Sequence, residues 1–267
     1  MAGIIDPRAA IEEGAQIGTD VTIGPFAVIG GNVRIGDGCV IGPHVVLSGN
    51  TTIGRGTRIH CGANIGDEPQ DVHYKGQNSF TDIGENCIIR EYVTIHRGAS
   101  EGSHTVIGNH VMLMAFSHVG HDTVIGDHVV IANATLLAGH VTVAPNAFIS
   151  ANVMIHQFVR IGRLAMIGGG NAIVQDIPPF CLYQWDSVQG PNIIGLRRAG
   201  WNEITRNTVR AAIETYFFEG LARPAAVAKI QADYEPLPEL DEFLEFVKTT
   251  KRGIAPGHQA KHSGSEA

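Results

Sequence analysis

The residues whose types and spacing could do chemistry lie between 118 and 157. His121-Asp122 is followed eighteen residues later by Gly139-His140, and Gln157 stands eighteen beyond Gly139 with His156 beside it; His118 precedes His121 by three. Imidazole titrates near neutrality, so a histidine next to a carboxylate suits general-base work on a weak nucleophile such as an alcohol. Neutral imidazoles also bind zinc, so the same cluster admits a metal triad. A lone histidine would read as an ordinary polar residue, whereas three recurring at nearly one spacing favour function. His44, His60, His110, His128, His258 and His262 read as solvated or loop residues.

An interval of eighteen has meaning only if the chain returns to the same place every eighteen residues. Stepping six residues at a time from Ile5 to Ile173 visits 29 positions, of which 26 hold Ile, Leu or Val; the exceptions are Asp71, Gln77 and Glu101. Neither a helix nor a hairpin has a period of six. Two residues before each aliphatic stands a small or β-branched residue, such as Ala27, Val33, Cys39, Thr135 or Ala147, and strand alternation sends both inward. Glycines often follow the aliphatic, as at Gly18, Gly24, Gly36, Gly126 and Gly162, where a corner can use positive φ. Each hexad is thus a short strand plus a corner. Strands this short bury nothing alone, so they must stack as coils of a parallel β-helix, three hexads to a triangular coil. Residues eighteen apart then lie about 4.8 Å apart along one edge.

The three phase-breaking residues fall in two segments, near 67–82 and 97–105, that read as loops leaving the prism, and loops on a rigid scaffold carry function. Past Asp176, Pro178 and Pro179 end the repeat, and the composition turns to Glu, Ala, Arg and Leu. The expected organisation is a β-helix over 1–182, a small helical domain over 183–254 and a disordered tail over 255–267. Asn202 caps a helix over roughly 203–219, Pro224 opens a second, and Pro236–Pro238 introduces a third running through Lys251.

The chain has 267 residues, 17% of them charged, and a formal charge of −7, so general affinity for nucleic acid or an anionic membrane has no electrostatic basis. It has no apolar run long enough to span a bilayer, and its start lacks the features of a signal peptide, so it reads as soluble and cytoplasmic. Cys39, Cys61, Cys87 and Cys181 form no CxxC pair and read as reduced thiols.

The hexad pattern resembles the hexapeptide-repeat acyltransferases, whose prism is left-handed; the expected fold class is therefore an all-β left-handed parallel β-helix followed by a small α-helical domain. Six segments narrow the resemblance: Gly66–Asp71, Ile88–Gly98, His118–Asp122, Leu137–Val141, Ile155–Phe158 and Gly195–Arg198. Together they look like the UDP-N-acetylglucosamine O-acyltransferase family, which opens lipid A synthesis, over about residues 5 to 252.

That resemblance implies transfer of an (R)-3-hydroxyacyl group from acyl carrier protein to the 3-hydroxyl of UDP-N-acetylglucosamine, without cofactor or metal, by a homotrimer with its sites between prisms. It implies His121 as base, Asp122 as its orienting partner and the Gly139 N–H as oxyanion donor. Asp71, His118, His140 and Gln157 would contact the sugar, and His156, Asn192 and Arg198 the nucleotide. Gly169 matches the position that limits acyl-chain length, where glycine implies room for a long chain. The family's Q-D-L-K-Y reads Gln70-Asp71-Val72-His73-Tyr74 here, so His73 stands where a substrate-binding lysine is expected. Its N-I-E-G places an acidic residue where Ile194 stands, and Tyr183–Pro191 is shorter than usual. A 3-amino UDP-sugar acceptor is the alternative these departures admit. A zinc-dependent hydratase of the same fold is another, although its H-x4-H ligand spacing contrasts with His118-x2-His121. Arg197, Arg198, Arg206 and Arg210 are candidates for a local basic surface facing an acidic carrier protein.

Overall fold

A computed structural model describes residues 3–258. The hexads form strands of mostly two residues, with the first outward and the second buried, as in Val28–Ile29, Arg34–Ile35 and Val40–Ile41. Every third strand joins the same sheet, giving three sheets of nine, eight and ten strands, parallel except for a closing hairpin. The stack is in register: Ile29, Leu47, Ile65, Ile95, Val119, Leu137 and Ile155 are successive partners in one sheet, and each is at most 2% exposed. Burying one such side chain contributes about 1.5–3 kcal/mol, and the column repeats on all three walls. The small inward residues fill the corners, where Thr51 and Thr135 donate their hydroxyls to the Ser48 and Ser150 carbonyls at 2.6 and 2.7 Å.

The corner glycines have a different reason from the one expected. Gly18, Gly24, Gly36, Gly126 and Gly162 do not have positive φ; a Cβ on Gly24 or Gly126 would stand 2.8 Å from the nitrogen of Pro43 or Pro145 in the next coil, and on Gly162 2.2 Å from that of Pro179. Glycine serves there because the neighbouring backbone passes too close for a side chain. Left-handed φ falls two residues later, mostly on non-glycine residues, including Asp122 (57°), His140 (59°) and Phe158 (65°).

Two loops leave one edge of the prism, at 68–79 and 97–103. Thr81 pairs with Thr51, thirty residues earlier, and Thr105 with Thr81, twenty-four earlier. The loops therefore add twelve and six residues to the eighteen of a coil. Both are multiples of six, and together they make one coil, which is why the phase survives them.

At the far end, Cys181–Gln184 and Ser187–Pro191 form an antiparallel hairpin that extends the ten-stranded sheet. Residues 183–191 therefore close the prism instead of opening the helical domain. Four helices follow: α1 (Ile193–Arg198), α2 (Glu203–Phe218, capped by Asn202), α3 (Arg223–Asp233) and α4 (Pro238–Lys248). Arg160 joins the two parts, donating from Nε to the buried Asp176 at 2.9 Å and from Nη2 to the Phe246 carbonyl at 2.9 Å. Arg163 pairs with Glu242 at 2.6 Å. The expected disordered tail is corrected at its start, because residues 255–258 lie along the prism cap: Ala255 N–H donates to the Asp176 carbonyl, and Val188 exchanges hydrogen bonds with Pro256 and His258. Residues 259–267 of that expectation lie outside the described residues. Ile254, fully buried, anchors this strap. Ile254→Ala should cost about 2–5 kcal/mol, the range for a truncated core aliphatic, read as a fall in denaturant midpoint; an unchanged midpoint would show that the strap is not part of the fold.

Candidate active site

The edge that sends out both loops carries the histidine cluster directly beneath them. His118, Leu136 and Met154 are register partners on the adjoining face. Around the corner His140 N–H donates to the His121 carbonyl at 2.9 Å, and Phe158 N–H to that of Gly139 at 3.2 Å. Three coils thus stack His121 on Gly139 and Gln157, and Asp122 on His140 and Phe158. The His140 ring lies flat on Phe158 at 4.6 Å and edge-on to His121 at 5.1 Å.

Asp122 Oδ2 lies 2.8 Å from His121 Nδ1 and accepts the Ala99 N–H at 3.1 Å, with His140 Nε2 at 3.7 Å. His121 and Asp122 are 13% and 9% exposed. A carboxylate accepts only, so the proton of a neutral His121 belongs on Nδ1 and Nε2 is left as the free base. That nitrogen lies over Gly139, where a Cβ would come within 2.5 Å of it. Gly139 has negative φ, so its lack of a side chain makes room for the ring. The Gly139 N–H has no partner among the described residues.

Burial works against the Asp122 charge, but the hydrogen bonds from His121, Ser103 and Ala99 outweigh it and hold the carboxyl down to about 2. Burial, with the nearby His96 and His121, pushes His118 down to about 4, and its Nδ1 lies 2.7 Å from the Thr94 hydroxyl. Burial likewise lowers His96. The cluster is thus built around a lasting negative charge beside His121, with neutral imidazoles at its flank.

A groove of about 560 Å³ runs from this corner along the face. Gln70, His96, His118 and His121 form its polar end; Leu136, Met154, Ala172 and Val174 form an apolar floor over the next three coils. The corner of Gly139, His156 and Gln157 rims it.

His118, His121, Gly139, His156 and Gln157 therefore share one groove, with Asp122 and His140 behind it. Other expected residues stand apart. Asp71 accepts the His73 N–H at 2.8 Å in a turn of the 68–79 loop, and neither lines the groove; Gln70 does. Lys75 follows in the same folded loop, its N–H donated to Gln77. Asn192 spends its side chain on the fold, capping Gly195 N–H at 3.0 Å and donating to the Leu164 carbonyl at 2.8 Å. Arg198 is exposed on the last turn of α1, and Gly169 sits at another corner, so none of these three enters the groove of its own chain. Sequence reasoning missed Gln70 and His96. The signal for His96 was present: allowing for the six inserted residues, it lies one coil above Gly120. His121, Asp122 and His140 also offer ligand atoms within 4.8 Å of one another, close enough to hold a metal ion.

A triangular prism of in-register hexads, with a histidine–aspartate pair at one corner, defines a hexapeptide-repeat transferase. The model of bacterial transferase hexapeptide repeats matches residues 32–67 and 104–139, and that of UDP-N-acetylglucosamine O-acyltransferase domain 2 matches 176–255. An acyl-(acyl-carrier-protein)–UDP-N-acetylglucosamine O-acyltransferase of Pseudomonas syringae is 41% identical over 254 residues, covering 94% of this chain and 98% of its own. One from Gloeothece citriformis is 42% identical over 211 residues, 76% of each chain. The crystal structure of a UDP-N-acetylglucosamine acyltransferase from Bacteroides fragilis superposes with a TM-score of 0.92 at 40% identity, covering 94% of this chain and 99% of that one. The chain belongs to the UDP-N-acetylglucosamine O-acyltransferase family, and its fold is the left-handed parallel β-helix with a C-terminal helical part.

The lowered pKa of His118 makes stability depend on pH. An unfolded histidine takes a proton near 6.5, the folded one only near 4, so the unfolded state binds more protons between those values and stability falls as pH drops through that window. Asp122, held at about 2, adds a further loss as pH falls below its unfolded value of 3.8. Unfolding measured against pH should show the first loss reduced in His118→Gln; an identical slope in both proteins would contradict the assignment.

Proposed function

We propose that the protein transfers an (R)-3-hydroxyacyl group from acyl carrier protein to the 3-hydroxyl of UDP-N-acetylglucosamine, the first step of lipid A synthesis. The observation that carries this reading is the free Nε2 of His121, oriented by Asp122 at the junction of the polar and apolar halves of one groove. A sugar nucleotide suits the polar half and an acyl chain the apolar floor. His121 Nε2 takes the proton of the sugar hydroxyl as its oxygen bonds to the thioester carbon; the oxyanion that forms accepts the Gly139 N–H. Collapse breaks the C–S bond, and the leaving carrier-protein thiolate takes the proton back from His121. Asp122 keeps the imidazole in its tautomer and stabilises the transient imidazolium. His118, His140, His156 and Gln157 are assigned to the sugar nucleotide; Asp71, outside the groove, is assigned to it on the family motif alone, with His73 standing where that motif has lysine. His73 and Ile194 leave a 3-amino UDP-sugar as the second acceptor to try.

The working unit in this reading is a homotrimer. Two faces of the prism carry outward apolar residues, Leu136 and Met154 on one and Val40, Ile88 and Phe148 on the other, while the third carries Gln16, Arg34, Asp82 and Arg160 beside Val124 and is more polar. The edge between the apolar faces exposes Phe26, Tyr92 and Phe116 at 50–59%, and Gly169 lies on that edge near the end of the groove floor. Packing about that edge would cover it and let a neighbour supply Asn192 and Arg198, and Gly169 as the limit on chain length. Arg197, Arg206 and Arg210 flank a second hollow with Leu196 and suit an acidic carrier protein. No helix among the described residues is long and apolar enough to cross a membrane; in this reading the acyl group comes from a carrier protein, which supports a reaction in the cytoplasm.

The test incubates the protein with UDP-N-acetylglucosamine and a 3-hydroxyacyl carrier protein and weighs the sugar nucleotide. A gain of one hydroxyacyl group, reduced about a thousandfold in His121→Ala, is the expected result. No gain with either the hydroxy or the amino sugar would sink the reading, and activity lost to a chelator and restored by zinc would favour the metal triad.

A further inference from the structure

The groove is completed from above by Gln70, the one residue of the 68–79 loop that lines it. A twelve-residue excursion holds a position only if something fastens it, and the fastening converges on a residue of the other loop. Arg97 donates from Nη1 to the Gly66 carbonyl at 2.9 Å, where the loop leaves the prism, and its Nη2 lies 3.3 Å from Glu68 Oε1. Its Nε and Nη2 both donate to the Tyr74 hydroxyl, at 3.2 and 2.8 Å, and the guanidinium lies over the Tyr74 ring. Tyr74 passes the chain on by donating to the Gln77 carbonyl at 3.1 Å. Gln70 thus lies between two points tied to one side chain, itself only 15% exposed. Arg97 directly follows the groove residue His96, which ends its strand, and two residues later Ala99 N–H binds Asp122.

We infer that Arg97 is a positioning residue: it sets affinity for the sugar nucleotide by holding the 68–79 loop, with Gln70, over the polar half of the groove. This rests on the acyltransferase reading above. The guanidinium's fixed fork serves three acceptors from three separate nitrogens, whereas lysine's three donors all sit on one nitrogen and cannot span them in the same way. Because Arg97 touches neither His121 nor the apolar floor, its loss acts on the binding of one substrate.

The experiment compares wild type, Arg97→Lys, Tyr74→Phe and the double variant in steady-state acyl transfer, with hydrogen exchange on the free proteins. Arg97→Lys should raise KM for UDP-N-acetylglucosamine about tenfold or more while kcat falls less than about threefold and KM for the acyl carrier protein stays put. Tyr74→Phe should move the same parameter in the same direction, and the double variant should be little worse than Arg97→Lys alone, since both remove one linkage. Amide exchange should rise in residues 70–78 and remain unchanged in the core strands. An unchanged KM for the sugar nucleotide would overturn the inference, and so would parallel changes in kcat and both KM values. If wild type itself transfers no acyl group, the underlying reading fails, an outcome distinct from an active wild type with indifferent variants.

Discussion

In-register stacking of one coil on the next is the constraint on which the rest of the structure depends. Most strands have only two residues, so their backbone groups must be satisfied by the coils above and below. A slip of one residue would turn the inward Ile125, Ile131 and Leu137 to solvent. This stiffness allows His121, Asp122, Gly139 and His140, drawn from two coils, to form a site by the stacking of one coil on the next. It also dictates what may be inserted: the two loops add twelve and six residues, preserving both the side-chain phase and the edge from which they emerge.

The corners show how general geometry becomes local chemistry. Asp122 and His140 sit in left-handed φ, but so do Phe26, Tyr92, His110 and Asn146, so this conformation belongs to the fold and does not mark the site. What distinguishes the site corner is its surroundings. The second loop lowers Ala99 and Ser103 onto Asp122, and their hydrogen bonds keep the carboxylate ionised although it is nearly buried. Desolvation holds His118 and His96 neutral on the other side. A fixed negative charge stabilises His121 when it becomes cationic, and the neutral imidazoles do not oppose it.

The periodicity made the prism and the histidine edge legible, because both depend on spacing alone. Spacing could not distinguish a glycine needed for φ from one needed for close approach, which is a matter of the next coil's path; Gly24 and Gly126 both prove to be of the second kind. His96 and Gln70 escaped because the loops shift the local count, although the global count survives them. The hairpin at 181–191 and the strap at 254–258 have no periodic pattern, and the strap is fixed by pairing with distant Asp176 and Val188. Asn192 was legible as a residue of the family motif but not as the cap of α1, because its bond to Gly195 N–H belongs to a helix that no periodic pattern announces.

The central claim, that a bare glycine stacked under His121 leaves room for the base that Asp122 orients, is tested most directly by Gly139→Ala. The backbone there accepts alanine, since φ is negative, but the added carbon meets the imidazole Nε2. The account predicts a kcat lower by about a hundredfold or more, with the thermal unfolding midpoint almost unchanged, because displacing a reacting group by an ångström is enough. A folded Gly139→Ala protein that transfers acyl groups at the wild-type rate would contradict it.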